Sequence, residues 1–227
     1  MKQLKAAIIG CGSISSVHAD SIRKSGKAEL AAVCDIDTQR MDMAVQKYHT
    51  KGYENYKDVL SDQSIDVVHI CTPHYLHSQI ALEALKAGKH VLTEKPMAIS
   101  TGAAGEMIDI SNKTGKRLGV CFQNRYNTTS VKIKELLKSG KAGRIIGGKA
   151  FVTWFRTDKY YTESGWRGTW EKEGGGVLIN QSIHTLDLLQ WFMGDVESIK
   201  ANVDTRKLKD VIEVEDTADV YIKFKNN

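Results

Sequence analysis

The chain has 227 residues, enough for one large or two modest domains with a sizeable core. Its net charge of +5 comes from scattered lysines without a dense basic block, so we expect no nucleic-acid partner. We see neither a signal peptide nor a bilayer-length apolar run, and the four cysteines have no paired spacing, so we expect a cytoplasmic protein without membrane contact.

The first predicted element is a strand from Leu4 that runs into a glycine-rich loop at 10–15 and then a helix. In a dinucleotide loop, Gly10 would turn the chain off the strand and Gly12 would let backbone approach a pyrophosphate. Ser15 replaces the third glycine of this fingerprint, and an ordinary strand-to-helix turn is the alternative. The predicted cofactor contacts here are Gly10, Gly12, Ser13 and Ile14.

A second apolar run, Leu30 to Cys34, ends in Asp35, about twenty residues after the loop. A carboxylate there can accept hydrogen bonds from both hydroxyls of an adenosine ribose, which favours NAD. The 2′-phosphate of NADP would be repelled by Asp35, although Arg40 lies close in sequence and leaves NADP as the less favoured cofactor. The alternative is that Asp35 is only a turn residue.

Alternating helices and strands follow. The predicted helices are 38–48, 55–60, 74–87 and 100–113, and the predicted strands are 66–71, 90–93 and 117–122. This order predicts a parallel, right-handed sheet with both faces covered, forming a Rossmann domain over residues 1–123. Both prolines of the chain, Pro73 and Pro96, lie just past a strand's carboxyl end, where ligands bind in such sheets.

Residues 124–227 are predicted to form a second domain. Its expected parts are a helix at 129–138, a long strand at 145–156, an aromatic loop, a long helix at 177–193, and strands near 199–205 and 214–224. A helix on a mainly antiparallel sheet makes this an α+β unit, so the fold class is an α/β Rossmann domain followed by an incomplete α+β domain.

At Glu94-Lys95-Pro96 the sequence resembles the Gfo/Idh/MocA oxidoreductases. The resemblance also includes the glycine loop with His18, Thr72-Pro73 with His77, the segment 87–91 that leads to Glu94-Lys95-Pro96, the triple glycine at 174–176, and residues 180–187. It implies that Lys95 lies beside the nicotinamide and substrate, and that Glu94 contacts a cofactor ribose. The remaining cofactor contacts that we carry over are Thr72, Pro73, His77, Gln123, Trp166 and Arg167. Trp166 and Arg167 are in the predicted aromatic loop, so contact with the sugar is the alternative for these two.

The predicted helix at 177–193 is apolar over most of its circumference, which is typical of a buried helix. Asn180, His184 and Asp187 follow at i, i+4 and i+7, so they would share one polar stripe. The resemblance assigns His184 as the acid/base residue, and imidazole suits this because its ordinary pKa is near neutrality. Asn180 stands where many relatives carry aspartate, and an amide can orient a hydroxyl but cannot take its proton.

Substrate recognition is expected from the aromatic loop, because flat rings edged by hydroxyl and guanidinium groups suit a polyol. Phe151, Trp154 and Phe155 are on the predicted strand and would mainly pack a core. The predicted substrate-binding residues are Asn180, Arg125, Tyr126, Tyr160 and Tyr161.

The segment 219–225 alternates apolar and polar residues as a half-buried strand does, and Asn226-Asn227 looks like the start of a hairpin turn. Relatives continue further, so the chain looks truncated inside its second domain. The sheet edge left open would pair with another chain, which predicts a homo-oligomer.

Together these features predict an NAD-dependent oxidoreductase acting on a secondary hydroxyl or keto carbon of a sugar, cyclitol or sugar derivative, with Lys95 and His184 as catalytic residues and no metal. A catalytically silent NAD-binding sensor would keep the glycine loop without needing that pair. A methyltransferase can also begin with a glycine loop, but would not require Glu94-Lys95-Pro96.

Overall fold

The computed structural model describes residues 3–225. By their contacts these fall into two compact units that divide between Cys121 and Phe122. The predicted turn at Asn226-Asn227 lies outside the described residues. Across the described residues, every helix is too short or too polar to traverse a lipid bilayer.

The first unit contains a six-stranded parallel sheet with the strand order β3-β2-β1-β4-β5-β6. The strands are β1 (Leu4–Ile9), β2 (Ala28–Cys34), β3 (Lys51–Tyr53), β4 (Val67–Ile70), β5 (His90–Thr93) and β6 (Leu118–Val120). The order reverses between β1 and β4, and ligands of open α/β sheets bind at such a switch point.

Five helices cover the sheet: α1 (Ser15–Ser25), α2 (Thr38–Tyr48), α3 (Tyr56–Ser61), α4 (His74–Lys86) and α5 (Thr101–Thr114). Short polar side chains start three of them, since Asp37, Asn55 and Ser100 each accept a backbone N–H of the first turn.

Strand β1 shows how both faces of the sheet are buried. Ala7 and Ile9 pack in one apolar cluster with residues of α3, α4 and α5, whereas Ala6 and Ile8 pack in another with residues of α1 and α2. Successive side chains of a strand point to opposite faces, so a central strand with two covered faces is apolar throughout. The predicted Rossmann fold is therefore confirmed.

The second unit is α+β. It consists of a short 3₁₀ helix (Gln123–Tyr126), α6 (Thr128–Lys138), α7 (Asp158–Thr162), a π-helical turn (Val177–Gln181), α8 (Ile183–Met193), and the antiparallel pair β7 (Val196–Asp204) and β8 (Thr217–Phe224). A small core of Tyr161, Leu208, Ile212 and Val214 ties α7 to the segment that precedes β8.

The predicted strand at 145–156 is wrong, because residues 143–157 form no regular element. A strand is stable only when a neighbour exchanges backbone hydrogen bonds with it. Among the described residues of this unit, β7 and β8 pair with each other and no strand pairs with 145–156.

The predicted continuous helix at 177–193 is also wrong. Ser182 donates both its backbone N–H (2.8 Å) and its hydroxyl (2.9 Å) to the carbonyl of Val177, five residues earlier. This widens the turn and separates it from α8, since serine side chains compete with regular helix hydrogen bonds. Nor is α8 buried as expected: apart from Met193, its residues are partly or fully exposed.

Candidate active site

The glycine loop after β1 has the geometry that its sequence predicts. Gly10 has φ +98°, and a Cβ there would lie 2.7 Å from the Cys71 carbonyl oxygen. Gly12 has open space instead, with no heavy atom within 4 Å of where a Cβ would be. The Ser15 hydroxyl donates to the Gly12 carbonyl at 2.6 Å, so serine closes the loop where a third glycine is usual.

Helix α1 begins at this loop with Ile14 as its N-cap, and no described side chain caps its first N–H groups. Its first turn also carries no acidic residue. Unpaired amides at the positive end of a helix bind anions such as a pyrophosphate. The open space at Gly12 and the uncapped helix therefore fit a dinucleotide.

Asp35 follows β2 and holds two backbone amides. Its Oδ2 accepts from the Cys11 N–H at 2.6 Å, and its Oδ1 accepts from the Asp37 N–H at 2.9 Å. The contact with Asp37 is a local turn, as expected if Asp35 were only a turn residue. The contact with Cys11 joins the carboxylate to the glycine loop.

Glu94, at the end of β5, is part of a chain of polar side chains. Its Oε1 lies 2.9 Å from Nε2 of His18, and Nδ1 of His18 lies 3.0 Å from Nδ1 of His69. Burial alone would raise the pKa of the Glu94 carboxyl, but the hydrogen bond from His18 and that from the Lys95 amide hold it below its usual value. Glu94 is therefore a carboxylate.

His69 behaves differently. Burial, reinforced by the nearby His18, lowers the pKa of His69 to about 4, so this imidazole is neutral near pH 7. No separate role is predicted from the sequence for His18 or His69. The sequence signal for this network is a histidine within the apolar run of β4. That signal does not reveal the partners of the histidine, because they are distant in sequence.

Three potential metal ligands meet at the same place. Donor atoms of His18, Glu94 and Cys121 all lie within 4.8 Å of one another. This set can hold a cation, although the His18–Glu94 hydrogen bond and the one between Glu94 and Cys121 already account for the arrangement.

His77 supports both proline turns. Its side chain is 1% exposed, and its two ring nitrogens lie 2.7 Å from the Pro96 carbonyl oxygen and 2.8 Å from the Thr72 carbonyl oxygen. The turns that follow β4 and β5 are thereby fixed to α4, and Lys95 lies in the second of them.

In the second unit, Tyr160 is the centre of a polar network around Asn180. The Asn180 amide donates to the Tyr160 hydroxyl at 3.2 Å and to Glu173 at 2.5 Å, and Gln181 donates to the same hydroxyl at 3.3 Å. Glu173 is fully buried and also accepts from the Gly168 N–H. The amide that stands in place of aspartate is thus held beside a buried carboxylate.

His184 and Asp187 have separate surroundings on α8. The His184 ring stands nearly perpendicular to Phe122, with ring centroids 5.9 Å apart. Asp187 forms a two-pronged ion pair with Arg125, at 2.8 and 2.6 Å. Because Arg125 is engaged in this way, it fastens the 3₁₀ helix to α8, while the neighbouring Tyr126 is 84% exposed.

The two adjacent tyrosines also differ. Tyr161 is 5% exposed in the core, and burial raises the pKa of its hydroxyl to about 12. Tyr160 packs edge-on against it and lies at the border of the core. Arg167 stacks on Tyr160 and on Trp166, with its Cζ 4.4 and 4.5 Å from the two ring centres.

Glu215, which the sequence analysis did not single out, organises the triple glycine. Its carboxylate accepts the N–H groups of Gly176 (2.9 Å) and Leu178 (3.0 Å), and its carbonyl accepts that of Val177. A Cβ on Gly176 would lie 1.9 Å from the Glu215 carbonyl oxygen, so this close approach requires glycine.

Comparison with known proteins agrees with these features. Residues 4–122 match the family model described as "Oxidoreductase family, NAD-binding Rossmann fold", and residues 130–227 match the GFO/IDH/MocA C-terminal domain. The predicted resemblance and the predicted cofactor, NAD, are both confirmed at this level.

Individual relatives are sugar dehydrogenases. Glucose-6-phosphate 3-dehydrogenase of Bacillus subtilis is 33% identical over 98% of this chain and 65% of the relative. D-glucoside 3-dehydrogenase of Escherichia coli is 34% identical over 88% of this chain and 57% of the relative. Their names describe oxidation at a sugar carbon.

A solved structure is similar over the whole chain. The WlbA dehydrogenase of Chromobacterium violaceum, in complex with NADH and UDP-GlcNAcA, superposes with a TM-score of 0.93 and 38% identity over 100% of this chain and 65% of that one. The present chain spans 57% to 65% of the length of these three proteins. It belongs to the Gfo/Idh/MocA oxidoreductase family, and its N-terminal part has that family's NAD-binding Rossmann fold.

Proposed function

We propose that the chain acts as an NAD-dependent oxidoreductase on a secondary hydroxyl or keto carbon of a sugar, cyclitol or sugar derivative. The observation that carries this proposal is the edge of the parallel sheet, where an open glycine loop and an uncapped helix meet the Glu94–Lys95 turn. The family match and the named sugar dehydrogenases among its relatives support it.

In this proposal the pyrophosphate is held by the amides of Gly12, Ser13 and Ile14, and Asp35 receives the adenosine ribose. NAD, when bound, supplies the hydride acceptor or, in its reduced form, the donor. Glu94 is ionised and held in place by His18, so its carboxylate can accept a hydrogen bond from a hydroxyl of the second ribose.

Lys95 and His184 divide the proton and charge chemistry. The Lys95 ammonium donates a hydrogen bond to the substrate oxygen at which charge develops. The His184 imidazole accepts the proton of the substrate hydroxyl as a hydride leaves the carbon that bears this hydroxyl. In the reduction, His184 returns the proton. Asn180, held by Tyr160 and Glu173, orients a substrate hydroxyl without taking its proton.

The test is steady-state NADH formation by the 227-residue chain on a panel of sugars and cyclitols, together with calorimetric NAD binding. Lys95→Met and His184→Gln are expected to lower kcat by about 10²- to 10⁴-fold while NAD still binds. Lys86→Met, which alters an exposed lysine at the end of α4, is the matched control and should turn over like the wild type.

Wild-type turnover in both Lys95→Met and His184→Gln would contradict the assigned roles. NAD binding without turnover by the wild type on any compound would instead favour the catalytically silent sensor. Asn180, in place of an acid, is the feature that keeps this second candidate under test.

A further inference from the structure

Two arginines of the second unit stack around one tyrosine. The Cζ of Arg156 lies 4.8 Å from the centre of the Tyr160 ring, and that of Arg167 lies 4.4 Å from the same centre. Trp154 and Trp166 provide a second ring for Arg156 and Arg167, at 5.4 and 4.5 Å. Stacking on ring faces fixes the plane of a guanidinium and leaves its N–H edge available for a ligand.

Neither arginine is directly paired with a carboxylate of the described residues. Within residues 3–225, no ion pair involves Arg156 or Arg167. Arg156 donates its Nε–H to the amide oxygen of Gln181 at 3.0 Å. The Nε of Arg167 is buried and makes no hydrogen bond within the described part of the chain. A buried charged donor without an acceptor is costly and needs an explanation.

Acidic groups near this cluster are committed elsewhere. Glu173 accepts from Gly168 and Asn180, and Asp216 accepts from three consecutive backbone amides at 206–208. Arg125 shows the contrast, because its guanidinium is matched by both oxygens of Asp187. Asp187 therefore pairs with Arg125 inside this unit, whereas Arg156 and Arg167 have no such carboxylate among the described residues and can pair with an anion of a ligand.

We propose that Arg156 and Arg167, held by Tyr160, bind an oxyanion of the sugar substrate, either a carboxylate or a phosphate. This inference rests on the proposed function and names the substrate class of that site. The planar N–H edge of a guanidinium matches two oxygens of either group. Arg156 also lines an open depression of about 550 Å³ with Thr153, Trp154 and Phe155, where the rest of a sugar derivative can lie on the rings.

The assignment selects the substrate for Arg167, which is one of the two roles predicted for this residue. The names of the relatives leave open whether the substrate is charged, since one is a glucose-6-phosphate 3-dehydrogenase and another a D-glucoside 3-dehydrogenase. The two uncompensated arginines are what decide for a charged substrate here.

The experiment compares matched probes by calorimetry on the 227-residue chain saturated with NADH, so that no turnover occurs. Glucose, glucuronate and glucose 6-phosphate separate no anion, a carboxylate and a phosphate. UDP-GlcNAc and UDP-GlcNAcA form a second pair that differs by a carboxylate alone. In at least one set, we expect the probe with the added carboxylate or phosphate to bind about tenfold or more tightly than the probe that lacks it, with affinity falling as salt rises.

Substitutions of the two arginines test whether they cause the preference for the anionic probe. Arg167→Gln and Arg156→Gln should each remove most of the preference for the charged probe, a loss on the order of 10- to 100-fold, while glucose binding changes little. Arg167→Lys keeps the charge but not the planar edge, so it should retain part of the preference. Arg144→Gln, at an exposed arginine outside the cluster, is the matched control and should bind like the wild type.

Equal binding, by the wild type, of the probes with and without the added carboxylate or phosphate would overturn the inference. So would an equal loss in Arg144→Gln, which would indicate only the general charge, or a loss of NADH affinity in Arg167→Gln, which would return this residue to the cofactor. Turnover of the same probes with NAD tests the proposed function separately from binding. If Arg167→Gln abolished a charge-dependent binding but no probe were turned over, the anion site would be supported and the oxidoreductase activity refuted.

Discussion

At the residue scale, two glycines of one loop carry different constraints. Gly10→Ala places a Cβ 2.7 Å from the Cys71 carbonyl at φ +98°, so we expect the fold itself to lose about 1–3 kcal/mol of stability. Gly12→Ala meets no atom within 4 Å, so the fold should be unaffected, but the methyl group would occupy the space proposed for the pyrophosphate.

These two variants are checked by thermal unfolding with and without NAD. Gly10→Ala should lower Tm in both conditions, whereas Gly12→Ala should match the wild-type Tm without NAD and lose the rise that NAD produces. A full NAD-dependent rise in Gly12→Ala would show that the dinucleotide does not approach this loop.

His69 makes stability depend on pH with a defined sign. The unfolded chain binds a proton on this histidine below its ordinary pKa of 6.5, whereas the folded chain keeps it neutral down to about 4. The stabilisation is therefore complete above pH 6.5 and is lost as the pH falls towards 4, by up to about 3 kcal/mol.

His69→Gln should flatten the free energy of unfolding between pH 6.5 and 4, as measured by urea denaturation at several pH values. Parallel curves for His69→Gln and the wild type would mean that another group produces the acid sensitivity.

At the element scale, the sequence was most informative where structure is local. The predicted bounds of α2 and β5 match the structure because an Asp37 cap and an apolar run define these elements from within. The strand at 145–156 failed because its formation depends on a partner strand, which periodicity does not reveal. The short edge strand β3 was missed for the same reason, since it exists only by pairing with β2.

The same distinction holds for the site. Gly10 and Asp35 follow from a motif of fixed spacing, and the fold places them as that motif predicts. His18 and Glu94 are 76 residues apart, and Gly176 and Glu215 are 39 apart, so no local pattern announces their contacts. The predicted roles of Lys95, His184 and the other site residues remain predictions.

Glu215 provides the element-scale test. Glu215→Gln exchanges one acceptor oxygen for an N–H donor and leaves a buried amide of Gly176 or Leu178 without a partner, which costs about 1–3 kcal/mol. Glu171→Gln, at an exposed glutamate of the same unit, is the matched control. Urea unfolding followed by tryptophan fluorescence should show a lower midpoint for Glu215→Gln alone, and equal midpoints would show that the carboxylate does not hold this turn.

At the scale of the whole molecule, the predicted homo-oligomer can be tested on the exposed face of the sheet in the second unit. The register pairs Ile199 with Ile222 and Ala201 with Val220, so these residues share one face of the β7–β8 pair. Ile199 and Val203 on that face are 60% and 54% exposed. Large apolar side chains exposed together on a two-stranded sheet favour association.

We expect the molar mass from light scattering after gel filtration to rise with protein concentration. Ile199→Lys should abolish this rise, because burying a charge without a partner outweighs the roughly 1.5–3 kcal/mol gained by covering an isoleucine. Lys200→Gln alters the next residue of β7, whose side chain points to the opposite face, and should associate like the wild type. A monomeric wild type throughout the concentration range, or equal association of all three proteins, would exclude this face as the contact between copies.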